Sequence, residues 1–133
     1  MTKNIYSSKV VIWISYILQA VVSFMMLSSA AMNILRTEMA VQGATEMGIP
    51  SSSVFYLGIV LLISTMLYIV PRTTILGAIL LTGWLGGAVS THLIHNDPLF
   101  NQLFPVVFGV VVWLSIWLRS SSLRDMVPFK KSS

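Results

Sequence analysis

Residues 74–94 read TILGAILLTGWLGGAVSTHLI, framed by Pro71-Arg72-Thr73 before them and His95-Asn96-Asp97-Pro98 after them. The stretch contains no Asp, Glu, Lys or Arg. At about 1.5 Å of rise per residue, a helix of this length reaches across the roughly 30 Å hydrocarbon core of a bilayer. Its small residues recur at helical intervals, Gly83 with Gly87 and Gly86 with Ser90, a spacing that lets helix backbones approach closely.

Three further apolar stretches of spanning length lie outward from it, at 10–32, 54–70 and 99–118. The second of the four spans is the shortest and must stand nearly upright or thin the bilayer locally. Over the whole chain 56% of residues are apolar and 9% charged, whereas a soluble domain carries about 25% charged residues. A soluble fold of 133 residues has too little interior to hide that much apolar surface. The expected fold is therefore all-α: an antiparallel bundle of four transmembrane helices in a single transmembrane domain over 1–133, with 119–133 as a tail.

Punctuation at the span ends agrees. Ser51, Ser52 and Ser53 offer N-caps to the second span and Pro71 stops it. Asp97-Pro98 reads as N-cap and first helical residue of the fourth, and Pro105 falls inside that helix, where it should kink it. Two connections are short, at 71–73 and 95–98, which makes neighbouring helices antiparallel. The third connection, 33–53, is longer; 37–47 is helix-forming and ends at Gly48, a C-cap before Pro50. It is expected as a short extracytoplasmic helix.

Orientation follows from the cations. Lys3 and Lys9 precede the first span, Arg72 lies between the second and third, and Arg119, Arg124, Lys130 and Lys131 follow the fourth. The opposite side has only Arg36, so the positive-inside rule places both termini in the cytoplasm. This also accounts for the net charge of +4 without a nucleic-acid partner, since the basic residues form no stripe. Lys3, Lys9 and the small residues near 28–31 resemble a signal peptide, but the apolar run is longer than a typical one and is expected to remain as a helix of the bundle. Tyr6, Trp13, Tyr16, Trp113 and Trp117 cluster at the cytoplasmic ends, as interfacial anchors do.

There is no cysteine, which excludes thiolate catalysis, disulfide relay and cysteine-held zinc or iron–sulfur centres within this chain. No Asp, Glu, Lys or Arg lies well inside a span, which disfavours a proton-coupled transporter. The polar candidates are few. Trp84 lies near mid-membrane, where its indole N–H needs a partner, and Trp84, Ala88, Thr91 and His95 form one stripe ending at the outer mouth. His92 and His95 are three apart with Asp97 beyond. They read as interfacial histidines, as a proton-handling or ligand-orienting His92 partnered by Asp97, or as part of a metal site. Zinc would need further ligands, for which Glu38 and Glu46 are the available but unfixed donors, and no metal site is assigned. Gln19, between Ser15 and Ser23 on the first span, should face the bundle as glue between helices or as part of a polar pocket with Ser64, Thr65 or Tyr68. Candidate ligand-binding residues are thus Trp84, Thr91, His92, His95, Asp97 and Gln19, with His92 the candidate for any catalytic role. Gly83, Gly86, Gly87 and Ser90 are the candidates for helix packing inside the bundle, with self-association as the alternative.

The run 76–93, LGAILLTGWLGGAVSTHL, followed by Asp97-Pro98-Leu99-Phe100, resembles the DoxX-like family. Gly48-Ile49-Pro50, Pro71-Arg72-Thr73 and Trp117-Leu118-Arg119 agree with it, while the first span matches only loosely. The resemblance implies a four-helix protein of the bacterial inner membrane. The wider group includes subunits associated with quinone-linked sulfur oxidation and with membrane oxidoreductase assemblies. Two positions depart from it: Asn33 stands where many relatives have a lysine, and Leu61 where many have a glutamate. The expected function is an accessory or scaffold subunit that binds a lipid, a quinone or a partner protein, such as a membrane redox enzyme or a second copy of itself. No cofactor motif is evident and a quinone is the compatible one. The alternatives are a quinone-linked oxidoreductase component with His92 handling a proton, and a small-solute transporter.

Overall fold

The computed structural model describes residues 5–130, so Lys3 and Lys131 of the charge pattern lie outside the described residues. After a 3-10 turn at Ile5–Ser7 come α1 (Lys9–Ile34), α2 (Glu38–Glu46), α3 (Val54–Ile69, entered through a 3-10 turn at Ser51–Ser53), α4 (Thr74–Ile94), α5 (Leu99–Trp117) and α6 (Ser121–Met126). No strand occurs among the described residues. Four helices, α1, α3, α4 and α5, are long and apolar enough to cross a membrane, and no more than 33% of any of these spanning stretches is buried inside the protein. The remaining faces carry exposed Ile17, Phe24, Ile63, Ile79 and Val107, which only lipid can cover favourably.

The helices zip together in opposite order. Along α1 and α3, Gln19 meets Tyr68 while Ala30 and Asn33 meet Gly58. Along α4 and α5, Thr82 meets Trp113 and Leu85 meets Gly109. The core between them is Val22, Met26, Leu61, Tyr68, Leu81 and Val112.

Helix ends explain where the turns fall. Pro71 forces Val70 into extended backbone (ψ 123°), which ends α3 at Ile69. Proline also has no N–H for the carbonyl of Leu67, and the Thr73 hydroxyl donates to that carbonyl instead, at 2.7 Å. The next orphaned carbonyl, Tyr68, accepts from the Gln19 side-chain amide of α1 at 3.0 Å. The short helix expected between the first two spans is α2, capped by the Thr37 hydroxyl, which accepts from the Ala40 N–H. It ends at Gly48, whose φ of 77° a side chain would resist.

Two expectations need correction. Asp97 is not the N-cap of α5: Pro98 occupies that position with no side-chain cap, because the Asp97 carboxylate is bound elsewhere. The close helix crossings are also not at Gly83, Gly86 and Gly87, where a Cβ would meet nothing within 4 Å; with Ser90 they lie on an exposed face of α4. Close packing falls to Gly58 and Gly77. A Cβ on Gly58 would come within 2.8 Å of the Asn33 side chain and the Ile34 backbone, and one on Gly77 would overlap the backbone of Leu67 and Tyr68. The small-residue spacing marked the right helix but the wrong side of it, since periodicity alone does not say which face meets protein.

Tyr68 gathers all four spanning helices. Its backbone lies under Gly77 of α4, its carbonyl binds Gln19 of α1, and its hydroxyl donates to the carbonyl of Val112 on α5 at 2.9 Å and pairs with the Ser115 hydroxyl. Gly77→Ala should therefore destabilise the bundle by about 1–3 kcal/mol, whereas Gly83→Ala should stay within about 0.5 kcal/mol of the parent. Tyr68→Phe should cost about 1–2 kcal/mol by removing the hydroxyl bridge. Thermal unfolding in one detergent checks the three together, and equal effects of the two glycine variants would contradict the crossing.

Candidate functional site

At the end of α4 the chain turns through Asn96, whose φ of 54° is one that asparagine tolerates better than most residues. The N–H of Asn96 donates to the Leu93 carbonyl at 3.1 Å and that of Asp97 to the His92 carbonyl at 3.0 Å. This pair of bonds is the Schellman arrangement. It carries Asp97 back over the last turn of α4, and there its carboxylate lies 2.6 Å from His92 Nδ1. Gln102 fixes the turn from the other side by donating to the Asp97 carbonyl at 2.7 Å. Facing a carboxylate, which only accepts, Nδ1 carries the hydrogen, and Nε2 is the ring nitrogen left for another partner.

The His92 ring is also part of a cavity wall. A cavity of about 330 Å³ opens between α1, α4 and α5. α4 contributes Trp84, Leu85, Ala88 and His92; α1 contributes Met25, Met26 and Ser29; α5 contributes Phe104, Pro105 and Phe108. The rings of Phe104 and Phe108 meet edge to face, 4.5 Å between centroids. Trp84 Nε1 is buried with no hydrogen-bond partner. A buried N–H without an acceptor costs about 1–3 kcal/mol, so a ligand that brings an acceptor to it has that much to recover. The cavity thus combines aromatic and methionine walls with a histidine already oriented by a carboxylate, and the indole of one wall residue, Trp84, keeps its buried N–H unpaired.

The sequence candidates divide on this geometry. Trp84 and His92 share the cavity with Ala88 between them, and Asp97 stands behind His92. Thr91 and His95 are absent from its walls. The Thr91 hydroxyl donates back to the Gly87 carbonyl at 2.8 Å, and the His95 ring bonds the Thr91 carbonyl at 3.0 Å and lies beside Gly48. The stripe facing the cavity is 84, 88, 92, four residues per step, and the one expected through Thr91 and His95 turns away from it. Gln19 is at the opposite end of the bundle. Of Ser64, Thr65 and Tyr68, the residues expected around it, it binds the main-chain carbonyl of Tyr68, and the guanidinium of Arg119 donates to Gln19 Oε1 at 2.7 Å. Ser64 and Thr65 are buried but spend their hydroxyls on their own helix. No group of three His, Asp or Glu suited to a metal ion occurs among the described residues. Missing from the sequence reading were Ser29, Phe104 and Phe108. The two phenylalanines at i and i+4 around Pro105 were the signal, read only as part of a span.

A model of the DoxX-like family matches residues 17–115. No curated protein and no solved structure matches the chain. The match runs from within α1 to Ser115, near the end of α5, and takes in the Tyr68 hub, the Trp84–His92 cavity and the Asp97 turn. This four-span protein is therefore a member of the DoxX-like family.

Proposed function

We propose that this DoxX-like protein is an accessory subunit of the bacterial inner membrane, with both termini cytoplasmic, that holds an apolar ligand bearing a carbonyl or similar acceptor, of which a quinone is the type, between α1, α4 and α5. The observation that carries the reading is the unpartnered Trp84 N–H in the wall of the cavity that His92 also lines. The walls are otherwise apolar and aromatic, as ligand pockets for ring-bearing molecules are. The residues fit such a group: Trp84 would donate to its acceptor oxygen, while Met25, Met26 and Phe108 would enclose its ring.

A second reading is favoured by the 2.6 Å contact of His92 with Asp97. In that reading the protein is a component of a quinone-linked oxidoreductase. His92, held through Nδ1, exchanges a proton at Nε2 with the ligand, and Asp97 stabilises the imidazolium that forms.

Gentle purification from the native membrane, followed by mass spectrometry of the bound molecules, tests the first reading. A ligand of this class should be retained by the parent and reduced about five- to tenfold in Trp84→Phe, the loss expected for one hydrogen bond to a buried donor, with Thr91→Val unaffected. Ordinary phospholipid alone, at equal levels in all three, would defeat it. His92→Ala separates the two readings. Retained ligand with lost quinone-linked activity supports the oxidoreductase component, and retained ligand with unchanged activity of the assembly supports the accessory subunit. Because the chain has no cysteine, orientation is directly testable. Gly43→Cys should react with a membrane-impermeant maleimide in intact spheroplasts, and Ser121→Cys only after permeabilisation. The reverse pattern would invert the topology.

A further inference from the structure

At the end of the bundle that carries both termini, Arg119 follows α5 and folds back against α1. Its guanidinium lies over the Tyr16 ring, 4.2 Å from the centroid, and donates to Gln19 Oε1 at 2.7 Å and to the Ser115 carbonyl at 3.3 Å. Arginine has five N–H donors, and those two bonds leave most of them over. Among the described residues no carboxylate pairs with Arg119; the His92–Asp97 pair belongs to the opposite end. Half-buried at the membrane boundary and with no carboxylate partner among the described residues, the guanidinium has donors to offer an anion from outside the chain.

A groove runs beside the two residues that hold the guanidinium, although Arg119 itself is not one of its lining residues. It has a volume of about 410 Å³, and Tyr16 and Gln19, the two residues that hold Arg119, form its upper wall. Below them come Ala20 and Ser23, and then Phe24 and Leu27 with Ile69 of α3 opposite. Ser23 is 5% exposed and its hydroxyl has no hydrogen-bond partner. The other serines and threonines facing the core, Ser15, Ser64, Thr65 and Ser115, all bond backbone carbonyls. Gln19 is level with the end of α3, since its amide binds the Tyr68 carbonyl, so Arg119 lies at the boundary that the Pro71-Arg72 turn marks. The step from Gln19 to Ser23 descends about 6 Å, and the apolar residues follow below it.

We propose that this groove is a binding site for one anionic phospholipid, with the phosphate on Arg119, a glycerol-ester carbonyl accepting from the Ser23 hydroxyl, and an acyl chain along Phe24, Leu27 and Ile69. The order of chemistry from the rim inward, Arg119 against Tyr16 and Gln19, then the lone Ser23 hydroxyl, then the apolar wall, matches the order of phosphate, ester and chain in a glycerophospholipid. The site is separate from the Trp84–His92 cavity and does not depend on what that cavity holds.

Native mass spectrometry tests it on the full chain, released from micelles containing equal amounts of phosphatidylglycerol and phosphatidylcholine with identical chains. The parent should retain one phosphatidylglycerol in preference. Arg119→Gln should lower that preference about fivefold, the effect of about 1 kcal/mol for one basic residue at the membrane surface, and Arg36→Gln at the other end should leave it intact. Ala20→Trp, which fills the groove from its exposed wall, should abolish the retained lipid while leaving Arg119 in place, and it keeps the test alive if Arg119→Gln fails to fold. Millimolar inorganic phosphate should not displace the lipid. Equal retention of both lipids by the parent, an undiminished preference in Ala20→Trp, or displacement by inorganic phosphate would each overturn the proposal, the last by reassigning Arg119 to a free anion.

Discussion

A bilayer interior offers no water to a backbone carbonyl that a helix leaves unpaired, and Pro71 leaves such carbonyls at the end of α3. Much of the terminal end follows from how they are satisfied. The Thr73 hydroxyl takes the Leu67 carbonyl and so shapes the turn into α4. Gln19 takes the Tyr68 carbonyl and so fixes the register of α1 against α3. With its amide nitrogen committed, Gln19 presents its oxygen to Arg119, which draws the chain after α5 back over the bundle. The backbone of Tyr68 lies where Gly77 lets α4 come close, and its hydroxyl closes onto α5. One proline thus creates needs that a residue of the following turn and a residue of α1 meet, and the four-helix arrangement is specified by polar groups where apolar packing in lipid has little directional preference.

The opposite end is built on a different balance. There the Schellman turn at Asn96 consumes the last donors of the α4 exit and leaves the Asp97 side chain free to orient His92. One turn pair deeper, Trp84 has no acceptor at all. A protein that satisfies Tyr68 three ways at one end yet leaves an indole N–H unsatisfied beside an oriented histidine at the other is not short of polar partners. The unpartnered indole N–H belongs to a residue of the cavity wall, and the other unpartnered donor among the described residues, the Ser23 hydroxyl, belongs to a residue of the groove beside Gln19.

How much of this was legible depended on whether the information was local. Span limits were, because apolar runs and prolines act within a few residues: 74–94 coincides with α4, and 99–118 with α5 to within one residue at its end. The α2 helix was legible through Thr37 and Gly48 for the same reason. Asp97 was misassigned because an Asp before Pro-Leu satisfies the rule for an N-cap, while the competing partner, His92, is reached only through the left-handed Asn96. The facing of α4 was not legible: it has small residues on two sides, and only Gly77 has a backbone opposite. The α6 helix, which buries Leu123 and is capped by Ser120, went unread because a six-residue segment in a basic tail has no periodicity to detect.

Asn33 and Leu61, where the resemblance led to an expectation of lysine and glutamate, lie at one contact between α1 and α3. Leu61 is fully buried, and Gly58, one turn away on the same helix, receives the Asn33 side chain and the end of α1 at contact distance. A lysine and a glutamate at 33 and 61 would bring charge into this tightest part of the α1–α3 interface, where removing water from both groups costs several kcal/mol each and only a well-formed pair recovers it. This chain has packing there instead. The polar groups in the cavity wall at this end of the bundle are Ser29 on α1 and Trp84 and His92 on α4.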